Sequence, residues 1–202
     1  MSPQEASQID PGLLESPREY FDLMGAKLNV HFTRHQYHSS SVNIPATTDE
    51  SFDPSVSTID ALVEEIEKKM PGVRVILDER NKKNPVIHVI DKAAEEKSKV
   101  LDRVIDLDYS GPVGYVSREL KEKGIPQIAW PLSGGNTEAF NDMLTDVTIN
   151  VKQRSIRDIL THCVDINRYY WIIWEAKTIE EPDGWETQIR FTRSMESDVK
   201  TD

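Results

Sequence analysis

HFTRHQYH, residues 31–38, is the stretch whose reading decides the fold. It carries His31, His35 and His38, three of the chain's five histidines. Spaced by four and then three, they would share one face of a helix, where imidazoles are ready metal ligands. On a strand the same residues divide, because side chains alternate between the two faces. His31 and His35 then point one way and His38 the other. The preceding residues favour the strand: in LNVHFT (28–33), Leu28, Val30 and Phe32 alternate with Asn29, His31 and Thr33. The expectation is a strand ending in polar residues that face solvent. The alternative is a weak metal site at His31, His35 and His38, recruiting Asp49 or Glu50 from the loop that follows.

The bulk numbers exclude several classes. The chain has 202 residues, which suits one larger domain or two small ones. Its formal net charge is -11, from 35 acidic and 24 basic residues. A general nucleic-acid binder needs a basic face, so no nucleic-acid partner is expected. Anionic lipid is disfavoured on the same ground. Cys163 is the one cysteine, so no intramolecular disulfide can form. No stretch reaches the roughly 18 apolar residues a membrane span requires. MSPQEASQIDPG at the N-terminus lacks a basic segment followed by an apolar run, so it is not a secretory signal as written.

Outward from residues 31–38, the chain falls into helices and strands. Residues 1–15 read as a loose polar tail. Pro17 suits a first helical turn, with Tyr20, Leu23 and Met24 on one face. A polar loop follows the histidines, with SVNI (41–44) as a brief strand within it. STIDALVEEIEKKM (57–70) places Ile59, Leu62, Val63, Ile66 and Met70 at helical spacing, and Ser57 with Asp60 resembles a capping box. VRVIL (73–77) and PVIHVID (85–91) read as two strands. KAAEEKSK (92–99) is charged and lacks apolar periodicity, so a linker over 93–100 is expected there, with a solvated helical extension as the other reading. Beyond it come a strand with Ile105, Leu107 and Tyr109 inward, and a helix with Val113, Val116 and Leu120 on one face. IPQIAW and DVTINV read as strands. SIRDILTHCVDI reads as a helix, and YYWIIW and TQIRFT as strands. Residues 195–202 are a polar tail.

The two halves follow one order, and the match survives residue by residue. STIDALVEEIEKKMPGVRVILDE (57–79) aligns without a gap on RSIRDILTHCVDINRYYWIIWEA (154–176). Ile59 meets Ile156, Leu62 meets Ile159, Val63 meets Leu160 and Ile66 meets Cys163. Val73, Val75 and Leu77 meet Tyr170, Ile172 and Trp174. Apolar positions coincide while most polar ones differ, as two copies of one core would leave them. The expected fold is α+β: two tandem small domains, 16–92 and 101–194, each with two helices packed on a small mixed β-sheet.

RVIDLDYSGPVGYVSRELKEKGIPQIAW (103–130) and DVTINVKQRSIRDILTHCVDINRYYWIIWEA (146–176) resemble the two parts of the short N-terminal domain of secretins and TonB-dependent receptors (STN-like). The first resembles its opening strand, first helix and second strand. The second resembles its closing strand, capped helix and aromatic-rich strand. Residues 16–92 look similar, without an obvious opening strand. The resemblance implies small modules that bind and position partners in bacterial envelope assemblies. It implies no catalytic residues and no cofactor. It places the chain in the periplasm or at the envelope if a signal peptide was removed, and otherwise in the cytoplasm.

The remaining chemistry is sparse. Cys163 lies on the apolar face of a helix and reads as a core residue; its neighbour His162 faces elsewhere. Asp106 and Asp108 share the outer face of a strand and read as solvated. SGGN (133–136) imitates a phosphate loop but lacks the lysine and the helix start. In YYWIIW, the repeat assigns Tyr170, Ile172 and Trp174 to the core. That leaves Tyr169, Trp171 and Ile173 on the other face, opposite Gly72, Arg74 and Ile76 of the first half. Two rings there mean either packing between the halves or a partner-binding face. The functional expectation is a non-enzymatic protein-interaction or scaffolding module, with a protein partner and the possibility of self-association. The alternative is a metal-dependent hydrolase using the histidines in a cleft between domains.

Overall fold

The computed structural model describes residues 17–38, 52–80, 83–125, 128–129, 146–163, 169–182 and 184–193. The SVNI stretch, Asp49, Glu50, SGGN and both polar tails lie outside them. Helix α1 (Pro17–Leu28) buries Tyr20, Phe21, Met24 and Gly25. Asn29 ends it at φ 52, and the Val30 amide returns to the Gly25 carbonyl at 3.3 Å. Asparagine is among the few side chains that tolerate this left-handed position. Strand β1 (His31–His38) follows, so the alternation expected from Leu28 begins only at His31.

Helix α2 (Ile59–Lys69) is capped by Thr58, whose hydroxyl accepts from the Ala61 amide, one residue beyond the Ser57 expected from sequence. Strands β2 (Val73–Asp78) and β3 (Val86–Asp91) then pair antiparallel. Asp91 caps the short helix α3 (Lys92–Lys97), and a 3-10 turn over Val100–Asp102 leads into β4 (Val104–Pro112). A second 3-10 turn (Val113–Tyr115) opens α4 (Val116–Glu122), and β5 (Ile128–Ala129) comes next. Strand β6 (Asp146–Ser155) runs straight into α5 (Ile156–His162), capped by Ser155 through the Asp158 amide. Ser155 and Thr58 occupy equivalent positions in the repeat alignment. Strands β7 (Tyr169–Glu181) and β8 (Gly184–Arg193) form a long hairpin, absorbing the connection EAKTIEEPDGWE that the sequence reading left between them.

The result is an α+β fold with helices on mixed sheets. Six strands form one sheet in the order β2-β3-β1-β7-β8-β5, and β4 with β6 form a separate ribbon. Two small sheets, one per half, were expected; instead β1 of the first half pairs parallel with β7 of the second, making one sheet of both. β1 also pairs parallel with β3, β7 antiparallel with β8, and β5 parallel with β8. The stretch 93–100, read as a linker, packs instead: Ala94, Ser98 and Val100 are buried. Short side chains let α3 approach the sheet closely, and short side chains leave little hydrophobic periodicity to read.

Each face of the sheet has its own core. α1 and α2 cover one face, where Tyr20, Phe21, Met24, Leu62 and Ile66 meet Phe32, Ile87 and Val89. Phe21 stacks on Phe32 at 4.8 Å and Tyr20 on Phe52 at 4.4 Å. On the opposite face, α4 and α5 lie between the sheet and the ribbon. Val116, Leu120, Ile156, Ile159 and Leu160 pack there with Trp174, Ala176 and Ile189 from the sheet and Leu107 and Ile149 from the ribbon.

A shared sheet implies shared unfolding. All four tryptophans, Trp130, Trp171, Trp174 and Trp185, lie in the second half. Ile66→Ala, in the first-half core, should cost about 2–5 kcal/mol. It should move the tryptophan-fluorescence and far-UV circular dichroism transitions together in urea. A tryptophan transition left unmoved would show that the halves unfold separately.

Candidate functional site

β1 is the strand on which polar chemistry concentrates. Both its edges are paired, and both its faces are covered. His31, Thr33 and His35 are all buried, with His35 only 1% exposed. The solvent-facing strand end expected from sequence is therefore corrected: these side chains lie beneath α3 and α5. A strand flanked by parallel neighbours is shielded on both sides, which hydropathy at His31 and His35 did not signal. The side chain of His38 lies outside the described residues.

The register places further polar groups beside them. Thr33 stands opposite His88 of β3, and Thr178 of β7 opposite Thr187 of β8. Thr33 Oγ1 lies 2.7 Å from His88 Nδ1, and His35 Nε2 lies 2.8 Å from Thr178 Oγ1. Thr178 and Thr187 hydroxyls are 3.2 Å apart, and Ser98 at the end of α3 reaches Thr187 at 3.1 Å. From α5, Arg157 donates through Nε and Nη2 to Asp102 Oδ1 at 3.2 and 3.1 Å. Arg80 links β2 to α5, donating to Asp78 and, at 2.6 Å, to Asp158 Oδ1. His35 Nδ1 and Arg157 Nη1 are buried with no hydrogen-bond partner among the described residues.

Electrostatics follow from burial. Desolvation, reinforced by the Arg157 charge, pushes His35 down to about 3 from the ordinary 6.5. Burial likewise lowers His88, with Arg157 adding to it and Asp78 opposing. Arg80 and His88 together hold the Asp78 carboxyl well below its usual range. Both histidines are neutral at physiological pH.

Thr33, His88 and Asp78 form a hydroxyl–imidazole–carboxylate row, with His88 Nε2 3.9 Å from Asp78 Oδ2. Geometry alone would suit a general-base relay. Thr33 is nevertheless 0% exposed, so its hydroxyl is sealed from solvent in this conformation. The row, with the hydroxyl chain beyond it, satisfies buried polar groups and pins strand register. Among the described residues, no group of three or more histidine, cysteine or acidic side chains is placed to hold a metal ion.

The other sequence-derived candidates have clear positions. Cys163 is buried, which pushes its thiol up to about 12. Asp106 accepts from the Gln153 amide at 2.7 Å, where β6 bulges at φ 52, so it shapes the ribbon. Ile173 sits at an irregularity in the β1–β7 register and is fully buried in the second core together with Trp174. The extra residue breaks strict alternation, which removes Ile173 from any open face. The side chains of Tyr169 and Trp171 lie outside the described residues. No span among the described helices is long and apolar enough to cross a membrane. Sequence reasoning missed Arg157, Asp102, His88 and the Thr178–Thr187–Ser98 chain. A histidine inside the apolar run PVIHVID and an arginine between Ile156 and Ile159 were the available signals.

Comparison with protein-family models, with curated proteins and with solved structures finds no match to this chain.

Two outcomes follow. Depressed histidines bind protons more readily in the unfolded chain, so their stability contribution is complete above pH 6.5 and falls as pH drops below it, for His35 down to about 3. Between pH 6.5 and 5, stability should fall by up to about 1.4 kcal/mol per pH unit for His35, with His88 contributing in the same direction. Urea titrations across that window test this, and His35→Gln should flatten the slope; a flat wild-type slope contradicts it. Asp102 is 37% exposed whereas Arg157 is 4% exposed. Asp102→Asn therefore strands a buried guanidinium and should cost about 2 kcal/mol, while Arg157→Met should change stability by less than about 1 kcal/mol. Equal losses in the two variants would refute that asymmetry.

Proposed function

We propose that this chain is a non-enzymatic module that captures a protein partner, of the kind that the short N-terminal domains of secretins and TonB-dependent receptors represent, and that it works in a bacterial envelope assembly. On this reading residues 16–92 and 101–194 are two related units sharing one sheet. Strand order supports the relationship. In the first half, β2 and β3 are antiparallel and β1 lies parallel beyond β3. In the second, β7 and β8 are antiparallel and β5 lies parallel beyond β8. The order β4, α4, β5, then β6, α5, β7 also fits the sequence of elements that the resemblance carries.

The observation that carries the binding role is the ribbon. Among the described residues β4 and β6 pair only with each other, from Val104–Ser155 to Pro112–Asp146. Each strand therefore keeps an outer row of backbone donors and acceptors, the template for an added strand. Its outward residues Asp106, Asp108, Thr148 and Asn150 are exposed, while Leu107 and Ile149 anchor it to the core. Polar groups buried under α3 and α5 hold the scaffold rather than presenting chemistry to a substrate.

A photo-reactive amino acid at Asp108 or Asn150 should give discrete cross-linked products in a bacterial envelope extract and none in the cytosolic fraction. The same probe at Asp60, exposed on α2, is the control. Ribbon positions that react no more than Asp60 would sink the binding role.

A further inference from the structure

The two ends of the six-stranded sheet are built differently. At one end, β5 covers Ile128–Ala129 among the described residues. β2 at the other end is six residues, VRVILD, without proline, lysine or any shift in its register against β3. Its outer edge is unpaired among the described residues. Natural edge strands are protected by charge, proline, bulges or brevity; β2 lacks proline and bulges, and its two charges, Arg74 and Asp78, are of opposite sign. We propose that β2 is a self-association edge, pairing antiparallel with β2 of a second copy about a two-fold axis at Ile76 to join two six-stranded sheets.

Backbone geometry limits the choices. In antiparallel pairing, directly opposite residues must both turn their amide and carbonyl toward the partner, or both turn them away. In a symmetric pair a residue i of one copy faces residue j of the other, so the two must differ by an even number. The axis therefore sits on a residue, not between two. Centring on Val75 leaves no charged residue of β2 opposite another. Centring on Leu77 sets Arg74 against Arg80, a like-charge clash. Centring on Ile76 pairs residues 74–78 of the strand and sets Arg74 of each copy opposite Asp78 of the other, with Val75 opposite Leu77.

Charge agrees with that register: Asp78, 11% exposed and already held by Arg80 and His88, gains Arg74 of the second copy as a further cation. Arg74 is 42% exposed, held by Glu95 on its own chain, and lies on the same face as Ile76 and Asp78. Opposite charges directly across a strand pair are favourable. On the other face Val75 and Leu77, with Val63 of α2 and Met70 at its end, are only partly buried against the first core. A second copy brings the same four residues to them across the axis. Such a closed, self-complementary contact is the commonest form of homo-oligomer. Ile76 is half-exposed and belongs to neither core, so it can be changed without emptying one.

Because Ile76 faces itself across the axis, one substitution tests the register. Sedimentation equilibrium of the full chain, from micromolar to millimolar, should show a monomer–dimer equilibrium. Ile76→Lys and Ile76→Glu should each weaken the dimer at least about tenfold, since like charges then meet at the axis. Mixing the two variants should restore it as a heterodimer. That rescue also shows that both variants are folded. A wild-type chain that stays monomeric throughout, a dimer indifferent to Ile76→Lys, or a mixture that does not re-associate overturns the proposal. The ribbon cross-linking result is independent of all three.

Discussion

The fold depends on one strand being buried with polar side chains. β1 gives its backbone to β3 on one edge and to β7 on the other, both in parallel. That double pairing joins the two halves into one sheet. It also takes His31, Thr33 and His35 out of water, and buried polar groups are costly unless they are hydrogen-bonded. Thr33 finds His88 across the β1–β3 boundary, and His35 finds Thr178 near the β7 edge. The groups that make β1 costly to bury thus tie it to both neighbours.

Those bonds also fix register. Slipping β1 by one residue would send His31, Thr33 and His35 to the α1 and α2 face, among Phe21 and Met24, and separate each from its partner. On that face Arg34 pairs with Glu175 at 3.0 Å and lies over the Phe21 ring at 5.8 Å, a second constraint in the same sense. An apolar β1 would bury more readily, yet it would discriminate registers less, because one branched side chain substitutes for another more easily than a histidine–threonine bond does. The cost remains visible in His35 Nδ1 and Arg157 Nη1. In this fold the polar network therefore does the work of specifying alignment between the halves.

Much of this was legible in the sequence, and the reasons for the failures are physical. Helices α2, α4 and α5 follow apolar stripes, and the expected core residues Leu62, Ile66, Val116, Leu120, Ile159, Leu160 and Cys163 are buried. The strands β2, β3, β7 and β8 were readable as strands, though not their pairing. Partnership across the halves was not, because pairing of β1 with β7 leaves no trace in local periodicity. Burial of His31 and His35 was hidden for the same reason: hydropathy reports what a residue prefers, not what a neighbouring strand imposes. α3 was obscured by its own chemistry, since Ala94 contributes little apolar signal although it is fully buried. The irregularity at Ile173 could not be anticipated, because a strict two-residue alternation has no place for an extra residue.

The pairing senses also explain where the molecule stays open. With β3, β1 and β7 all running one way, β2 runs opposite at one end, and β8 and β5 run opposite at the other. On the reading of two related units, the second therefore lies inverted in the sheet relative to the first, and its helices fall on the opposite face. Among the described residues, the middle strands are the ones covered from both sides. β3 and β1 are sealed between the two helical layers, while β2 is buried at Val73 and half-buried from Arg74 to Asp78. An inverted junction thus gives a rigid, doubly covered centre and a flank covered mainly on one face. The order of the strands, more than the residues of β2 themselves, leaves that flank without a paired strand among the described residues.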